Sequence, residues 1–127
     1  MAATANIRLL CEVVGLGEDK KFASLFTDSS TPTEGMGPVY VVPLVTTQVD
    51  VELGGMTPQE LRGMCLRCAN GIFYAGAASS AAVTMSCYIT TGQTVYFAHQ
   101  ALLTSRPAVI PFSTTAAYEV FCYGVAT

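Results

Sequence analysis

"VTMSCYI" (Val83 to Ile89) alternates strictly: Val83, Met85, Cys87 and Ile89 share one parity, and Thr84, Ser86 and Tyr88 share the other. Successive side chains of an extended chain point to opposite faces, so a period of two describes a strand with one face in a core and one toward water or a polar neighbour. "QVDVEL" repeats the pattern, with Val49, Val51 and Leu53 set against Gln48, Asp50 and Glu52. Downstream of Ile89, "TTGQ" (Thr90 to Gln93) precedes "TVYFAH" (Thr94 to His99). Gly92 is free to take a positive φ there, which predicts a turn joining two antiparallel strands as a hairpin.

Further strand signals cover most of the chain. "IRLLCEVV" (Ile7 to Val14), "KFASLF" (Lys21 to Phe26) and "VYVVPLV" (Val39 to Val45) are rich in β-branched and aromatic residues but alternate less cleanly. Pro43 lacks a ladder donor and suits a bulge or an edge, and Pro107 and Pro111 in "RPAVIPF" argue for an edge strand. Strands separated by closely spaced turn signals predict an all-β fold, an antiparallel sandwich or barrel of jelly-roll-like type. The 127 residues fit a single domain. It would have a short N-terminal arm (residues 1–6) and a long loop over "DSSTPTEGMGP" (Asp28 to Pro38), where no apolar period survives.

"TPQELRGMCLRCANG" (Thr57 to Gly71) conflicts with that pattern. Thr57 is placed as an N-cap, Pro58 as the first helical residue and Glu60 as the partner in a capping box. Leu61, Met64, Cys65 and Cys68 would then share a helical face. Gly63 costs such a helix about 1 kcal/mol relative to Ala, and the β surroundings favour a strand from Arg62 to Ala69. A short helix near 58–68 and a strand both remain open on these signals.

Composition narrows the function. Charged residues make up 12 % of the chain and hydrophobic ones 51 %, against a usual charged share of about 25 %. Part of so sparsely ionised a surface is expected to be covered by another molecule. The apolar runs are broken by Gly, Pro or Thr well short of a membrane span. The start of the chain has no basic segment ahead of its apolar run, so no signal peptide is expected. Six scattered cations and a net charge of −3 offer no stripe for phosphates, so nucleic acid is not an expected partner. The odd count of five cysteines fits reduced, buried thiols in a product of the cytoplasm.

Three motifs carry candidate chemistry. "VVGLGED" (Val13 to Asp19) has two glycines of a dinucleotide fingerprint, but Lys20 stands where the third would be and the acids would repel phosphates, so it reads as a turn between strands. Cys65 and Cys68 in "CLRC" have the spacing of a zinc or redox pair, yet no second matched pair accompanies them. His99, the lone histidine, has no acid nearer in sequence than Glu119 and no nucleophile motif, so no triad is indicated. No catalytic residue, cofactor or metal ligand is assigned, and no enzyme activity is expected.

The chain ends on "AAYEVFCYGVAT" (Ala116 to Thr127), where Tyr118, Val120 and Cys122 point one way and Glu119, Phe121, Tyr123 and Val125 the other. Neither face suits water. Together with Val39, Val41 and Phe112, the residues Tyr118, Phe121, Tyr123 and Val125 are the expected interface.

From Val49 onward, "VDVELGGM", "CANGIFYAG", "ITTGQTVYFAH" and "TTAAYEVFCYGVA" follow one another in an order of turns and strand textures. That order resembles the small β-rich virion proteins of tailed bacteriophages, such as head decoration or cement proteins. The resemblance implies a non-enzymatic viral structural protein located in the virion. Such a subunit is a homo-oligomer, for instance a trimer, that docks on a major capsid or other virion protein; no functional residue carries over. Two further readings are a small-molecule or glycan-binding β-barrel built on the aromatic cluster, and a metal or redox protein centred on Cys65 and Cys68.

Overall fold

The computed structural model describes residues 2–18, 20–42, 49–68, 71–75, 85–89, 93–98, 107–111 and 117–127, with 71–75, 85–89, 97–98 and 110–111 described as backbone. Ten strands and no helix occur among them. The chain divides into two compact units, Met1–Pro32 and Thr33–Thr127.

The first unit is a two-stranded antiparallel hairpin of β1 (Asn6–Val13) and β2 (Lys20–Thr27). Its turn holds Gly15 and Gly17 at φ 99° and 86°, so the two glycines of "VVGLGED" serve chain reversal, as the sequence indicates. At the open end, Thr27 Oγ1 donates to Asn6 Oδ1 at 2.8 Å and the Asp28 N–H donates to the Ala5 carbonyl at 2.8 Å. Asp28 Oδ1 then accepts from the Ser30 N–H at 2.8 Å, an Asx turn that ends the hairpin.

The second unit contains β3 (Glu34–Val41), β4 (Val49–Asp50), β5 (Leu61–Cys68), β6 (Gly71–Ala75), β7 (Met85–Ile89), β8 (Thr94–Ala98), β9 (Ala108–Pro111) and β10 (Tyr118–Gly124). They form two four-stranded antiparallel sheets, ordered β3-β10-β5-β8 and β4-β9-β6-β7. The pairs are nested. β3 meets β10, β4 meets β9, β5 meets β8 and β6 meets β7, and successive pairs fall alternately in one sheet and the other. A long antiparallel ribbon has been rolled up, which is the strand order of a jelly roll. The arrangement is sandwich-like, without closure into a barrel.

The core draws on both sheets. Leu61, Met64, Leu66 and Cys68 of β5 and Tyr118, Val120 and Cys122 of β10 pack with Val51, Leu53, Met56 and Val109. Each fully enclosed leucine contributes about 2 kcal/mol by leaving water. The period of two in "QVDVEL" survives as burial: Val51 and Leu53 are inside, Asp50 and Glu52 outside, although the ladder covers only Val49–Asp50.

Leu61–Cys68 is a strand, preceded by a turn at 58–60, and the reason lies in two irregularities. The capping box forms only in half: Glu60 Oε1 accepts the Thr57 N–H at 2.8 Å, while the Glu60 N–H goes to the Thr57 carbonyl at 3.0 Å. It closes a single turn, after which the backbone of β5 pairs with β10 and β8 instead of with itself. A register shift at Arg62, between the pairs Tyr123↔Gly63 and Gly124↔Leu61, then returns Leu61 to the side of Met64. That bulge produces the spacing of three that mimics a helical face.

Three other expectations are corrected. β7 and β8 are not a hairpin: β7 pairs with β6 in one sheet and β8 with β5 in the other, so the chain crosses between sheets there. Alternation shows that a strand is half-buried but does not name its neighbour. β9 is not an edge strand, since β4 and β6 flank it. Its prolines sit at the ends of the ladder, and the Pro107 carbonyl accepts the Val51 N–H at 2.9 Å. The stretch Asp28 to Pro38 is not wholly loop, because β3 begins at Glu34. Gly35, Gly37 and Pro38 hide that strand from hydropathy while its backbone pairs with β10.

In β3, Gly37 and Pro38 together oppose Phe121, a bulge on an edge strand that tolerates a proline. Gly37 has φ 101°, and a Cβ there would lie 2.5 Å from the Val120 carbonyl oxygen. Pro43, His99, Phe112 and the turn residues 90–92 lie outside the described residues.

Candidate docking surfaces

The outward face of the sheet β3-β10-β5-β8 is a grid set by register. Glu119 stands opposite Arg67, which stands opposite Thr94; Phe121 opposes Cys65, which opposes Tyr96; Tyr123 opposes Gly63. Arg67 and Glu119 form an ion pair across the strands. Both are substantially exposed, so the pair contributes about 0–1 kcal/mol and chiefly fixes the two side chains. Phe121 is 39 % exposed. It borders a depression of ≈ 230 Å³ lined by Pro38, Cys65, Arg67, Thr94, Glu119 and Phe121. Tyr123 is buried beside it, with its hydroxyl 3.2 Å from that of Tyr96.

The expected interface residues divide. Phe121 and Val39 are exposed, and Val125 is half-buried. Tyr118 is in the core, 3 % exposed, with its hydroxyl accepting the Glu52 N–H at 3.2 Å, so it is not free for a partner. Val41 packs against the same core. The two parities of the terminal strand separate as the sequence indicates, but the core of this unit occupies the face of Tyr118, Val120 and Cys122. Tyr40 and Val42, on and beside edge strand β3, are more exposed than Val39.

Cys65 and Cys68 lie on opposite faces of β5, because three residues along a strand reverse the side-chain direction. Cys68 is in the core and Cys65 faces the depression, its thiol pushed up by burial. A chelate or a redox couple through these two thiols is therefore not assembled.

At the β3–β10 end of the unit, the Thr33 N–H donates to the Gly124 carbonyl and the Ala126 N–H to Thr33 Oγ1. Glu60 fastens the same corner: its Oε2 accepts the Thr127 N–H at 3.2 Å and its carbonyl accepts the Val125 N–H at 2.9 Å. Bonds from Thr57 and Thr127 hold the Glu60 carboxyl below the usual carboxylate range. Burial and the neighbouring Glu60 carboxylate push Glu34 above it, and Glu34 Oε1 is enclosed with no hydrogen-bond partner among the described residues.

In the hairpin unit, large apolar side chains are left in the open: Leu9, Leu10, Val13, Val14, Leu16, Phe22, Leu25 and Phe26, with Leu10, Leu25 and Phe22 each more than 60 % exposed. Register assigns Ile7, Leu9, Cys11 and Val13, with Phe26, Ser24, Phe22 and Lys20 opposite them, to one face. Arg8, Leu10 and Glu12, with Leu25, Ala23 and Lys21 opposite, make the other. The first face is apolar almost throughout. Sequence reasoning passed over these residues as an ordinary strand pair; the available signal was apolar residues at both parities in "RLLCEVV". No known family model, curated protein or solved structure matches this chain.

Proposed function

We propose that this chain is a non-enzymatic structural subunit of a virion, one that self-associates and docks on a capsid or other virion protein to stabilise or decorate the particle. The observation that carries the reading is the jelly-roll strand order, an architecture used repeatedly by viral capsid domains. Because a fold hosts several functions, the surface supplies the second support. A two-stranded hairpin is at best marginally stable in water, and this one exposes Leu9, Val13, Phe22 and Phe26 of an apolar face on which Ile7 is buried. A subunit whose hairpin is covered in an assembly accounts for both features and for the low charge. Synthesis in the host cytoplasm followed by residence in the virion fits free cysteines at positions 11, 65, 68 and 122.

Light scattering on the purified chain at micromolar concentration tests self-association, and imaging of the native particle tests docking. Oligomers in solution and density on the particle surface are expected; a monodisperse monomer that is absent from particles overturns the reading.

A second reading is favoured by one observation. The exposed Phe121 ring beside Arg67, Glu119 and Thr94 combines an apolar platform with hydrogen-bonding groups around a depression, the chemistry of a small-molecule or sugar subsite. Titration with a glycan panel, saturable for the native chain and lost in Phe121→Ala, would favour this reading over the first.

A further inference from the structure

Strand β1 is chemically symmetrical about Leu10. Moving outward from it, Leu9 and Cys11 are apolar, Arg8 and Glu12 carry opposite charges, and Ile7 and Val13 are apolar again. Among the described residues the strand has a hydrogen-bonded neighbour, β2, on one side only. Arg8 faces Leu25 across the hairpin and has no ion-pair partner among the described residues.

We propose that β1 pairs antiparallel with β1 of a second copy of this chain, about a two-fold axis through Leu10, giving a four-stranded sheet ordered β2-β1-β1-β2. The inference rests on the self-association proposed above and names its edge and register. A two-fold axis normal to a sheet keeps side chains on their own faces. Arg8 therefore meets Glu12 of the second copy, twice over, while Ile7 meets Val13, Leu9 meets Cys11, and Leu10 meets itself. Opposed charges and apolar pairs of this kind stabilise neighbouring strands, and like charges oppose them.

The charges select this register. Sliding the axis to Leu9 would set Arg8 against Leu10 and Glu12 against Asn6; sliding it to Cys11 would set Arg8 against Val14 and Glu12 against Leu10. In the Leu10 register Glu12 lies between its own Lys21 and the second copy's Arg8, an alternating row of charge. The other edge is less suited, since β2 carries Lys20 and Lys21 and no acidic residue to match them, and edge lysines discourage pairing. Joining the β1 edges also merges the two apolar faces into one. Its rows run Ser24, Leu9, Cys11, Phe22 and Phe26, Ile7, Val13, Lys20 across the four strands, a surface wide enough to seat on a larger assembly.

The test is sedimentation equilibrium on the full chain and on Arg8→Glu, Glu12→Arg and the double swap. Each single reversal places like charges together at two symmetric contacts and is expected to weaken dimerisation by about tenfold, with the double swap restoring it to within about threefold of the native chain. Because Glu12→Arg also sets a cation beside Lys21, a second measurement is independent of charge. In a Cys11→Ser background, Leu10→Cys is expected to give a disulfide-linked dimer with diamide, and Leu25→Cys on β2 is not. Self-association that is indifferent to Arg8→Glu and yields no Leu10→Cys crosslink overturns the β1 pairing while leaving an oligomeric subunit in place. A chain that stays monomeric throughout overturns the pairing and the self-association together.

Discussion

The phenol end of Tyr123 occupies the space that a side chain at Gly63 would fill. The two residues are paired across β10 and β5, and the bare backbone at Gly63 lets the ring lean over the neighbouring strand until its hydroxyl stands 3.2 Å from that of Tyr96. Gly63→Ala is therefore expected to displace the ring and destabilise the second unit by about 1–3 kcal/mol. In a Tyr123→Leu background the same change should cost much less, and a double-mutant cycle from urea melts reads the difference.

Tyr118 joins the terminal strand to the segment after β4. Tyr118→Phe keeps the ring in the core but leaves the Glu52 N–H without its acceptor. The expected loss is about 1 kcal/mol, measured by chemical denaturation with an unchanged m-value.

Glu34 and Glu60 should respond to pH in opposite senses. The folded-state pKa of Glu60 is lowered by the Thr57 and Thr127 bonds. Its stabilising effect is thus present above its unfolded pKa and is lost as pH falls through the folded one. That of Glu34 is raised by burial and by Glu60, so its ionised form opposes folding at neutral pH and the penalty disappears once it is protonated in both states. Thermal melts from neutral pH down to about 3 should show Glu60→Gln less stable than the native chain near neutrality, with a shallower acid loss. Glu34→Gln should be more stable near neutrality and indistinguishable from the native chain at the acid end.

The thiols should differ sharply in reactivity. Cys11 is exposed, whereas Cys68 and Cys122 are buried, and burial, helped by the charges of Glu52 and Glu34, pushes Cys122 up to about 11. At pH 8 roughly one part in a thousand of Cys122 would be thiolate even if a reagent reached it. A chromogenic disulfide should label Cys11 within the fast phase, lose that phase in Cys11→Ser, and reach Cys122 only in denaturant.

What the sequence reveals about this fold follows from how side chains report burial. Where one face of a strand is enclosed, as along Val49 to Leu53, alternation identifies the inside correctly; along Tyr118 to Cys122 it separates the two faces without saying which one is enclosed. It fails where the backbone makes the strand. Glu34 to Pro38 has glycines and a proline in place of apolar markers, and the bulge at Arg62 turns a strand into a counterfeit helix face. Partner choice is also invisible to period. "TTGQ" fits a hairpin turn and a sheet-to-sheet crossing equally well, so the pairing of β6 with β7 emerges only from the nested arrangement. For the candidate surfaces, aromatic content led to the terminal strand, and Phe121 is indeed outward. The exposed hairpin escapes notice because its one mark, apolar residues at both parities of "RLLCEVV", equally describes a strand enclosed on both faces.

The nesting also constrains biogenesis. β10 fills the slot between β3 and β5, so the earliest strand of the jelly roll is bonded to the last one synthesised. Until Gly124 leaves the ribosome, that sheet has a gap flanked by two raw edges, and closing it joins segments at nearly the greatest separation this unit permits. Such distant closure is slow and leaves sticky intermediates, so nascent chains of this protein should depend on a chaperone, or on very early capture by the assembly they join, to reach maturity without clumping.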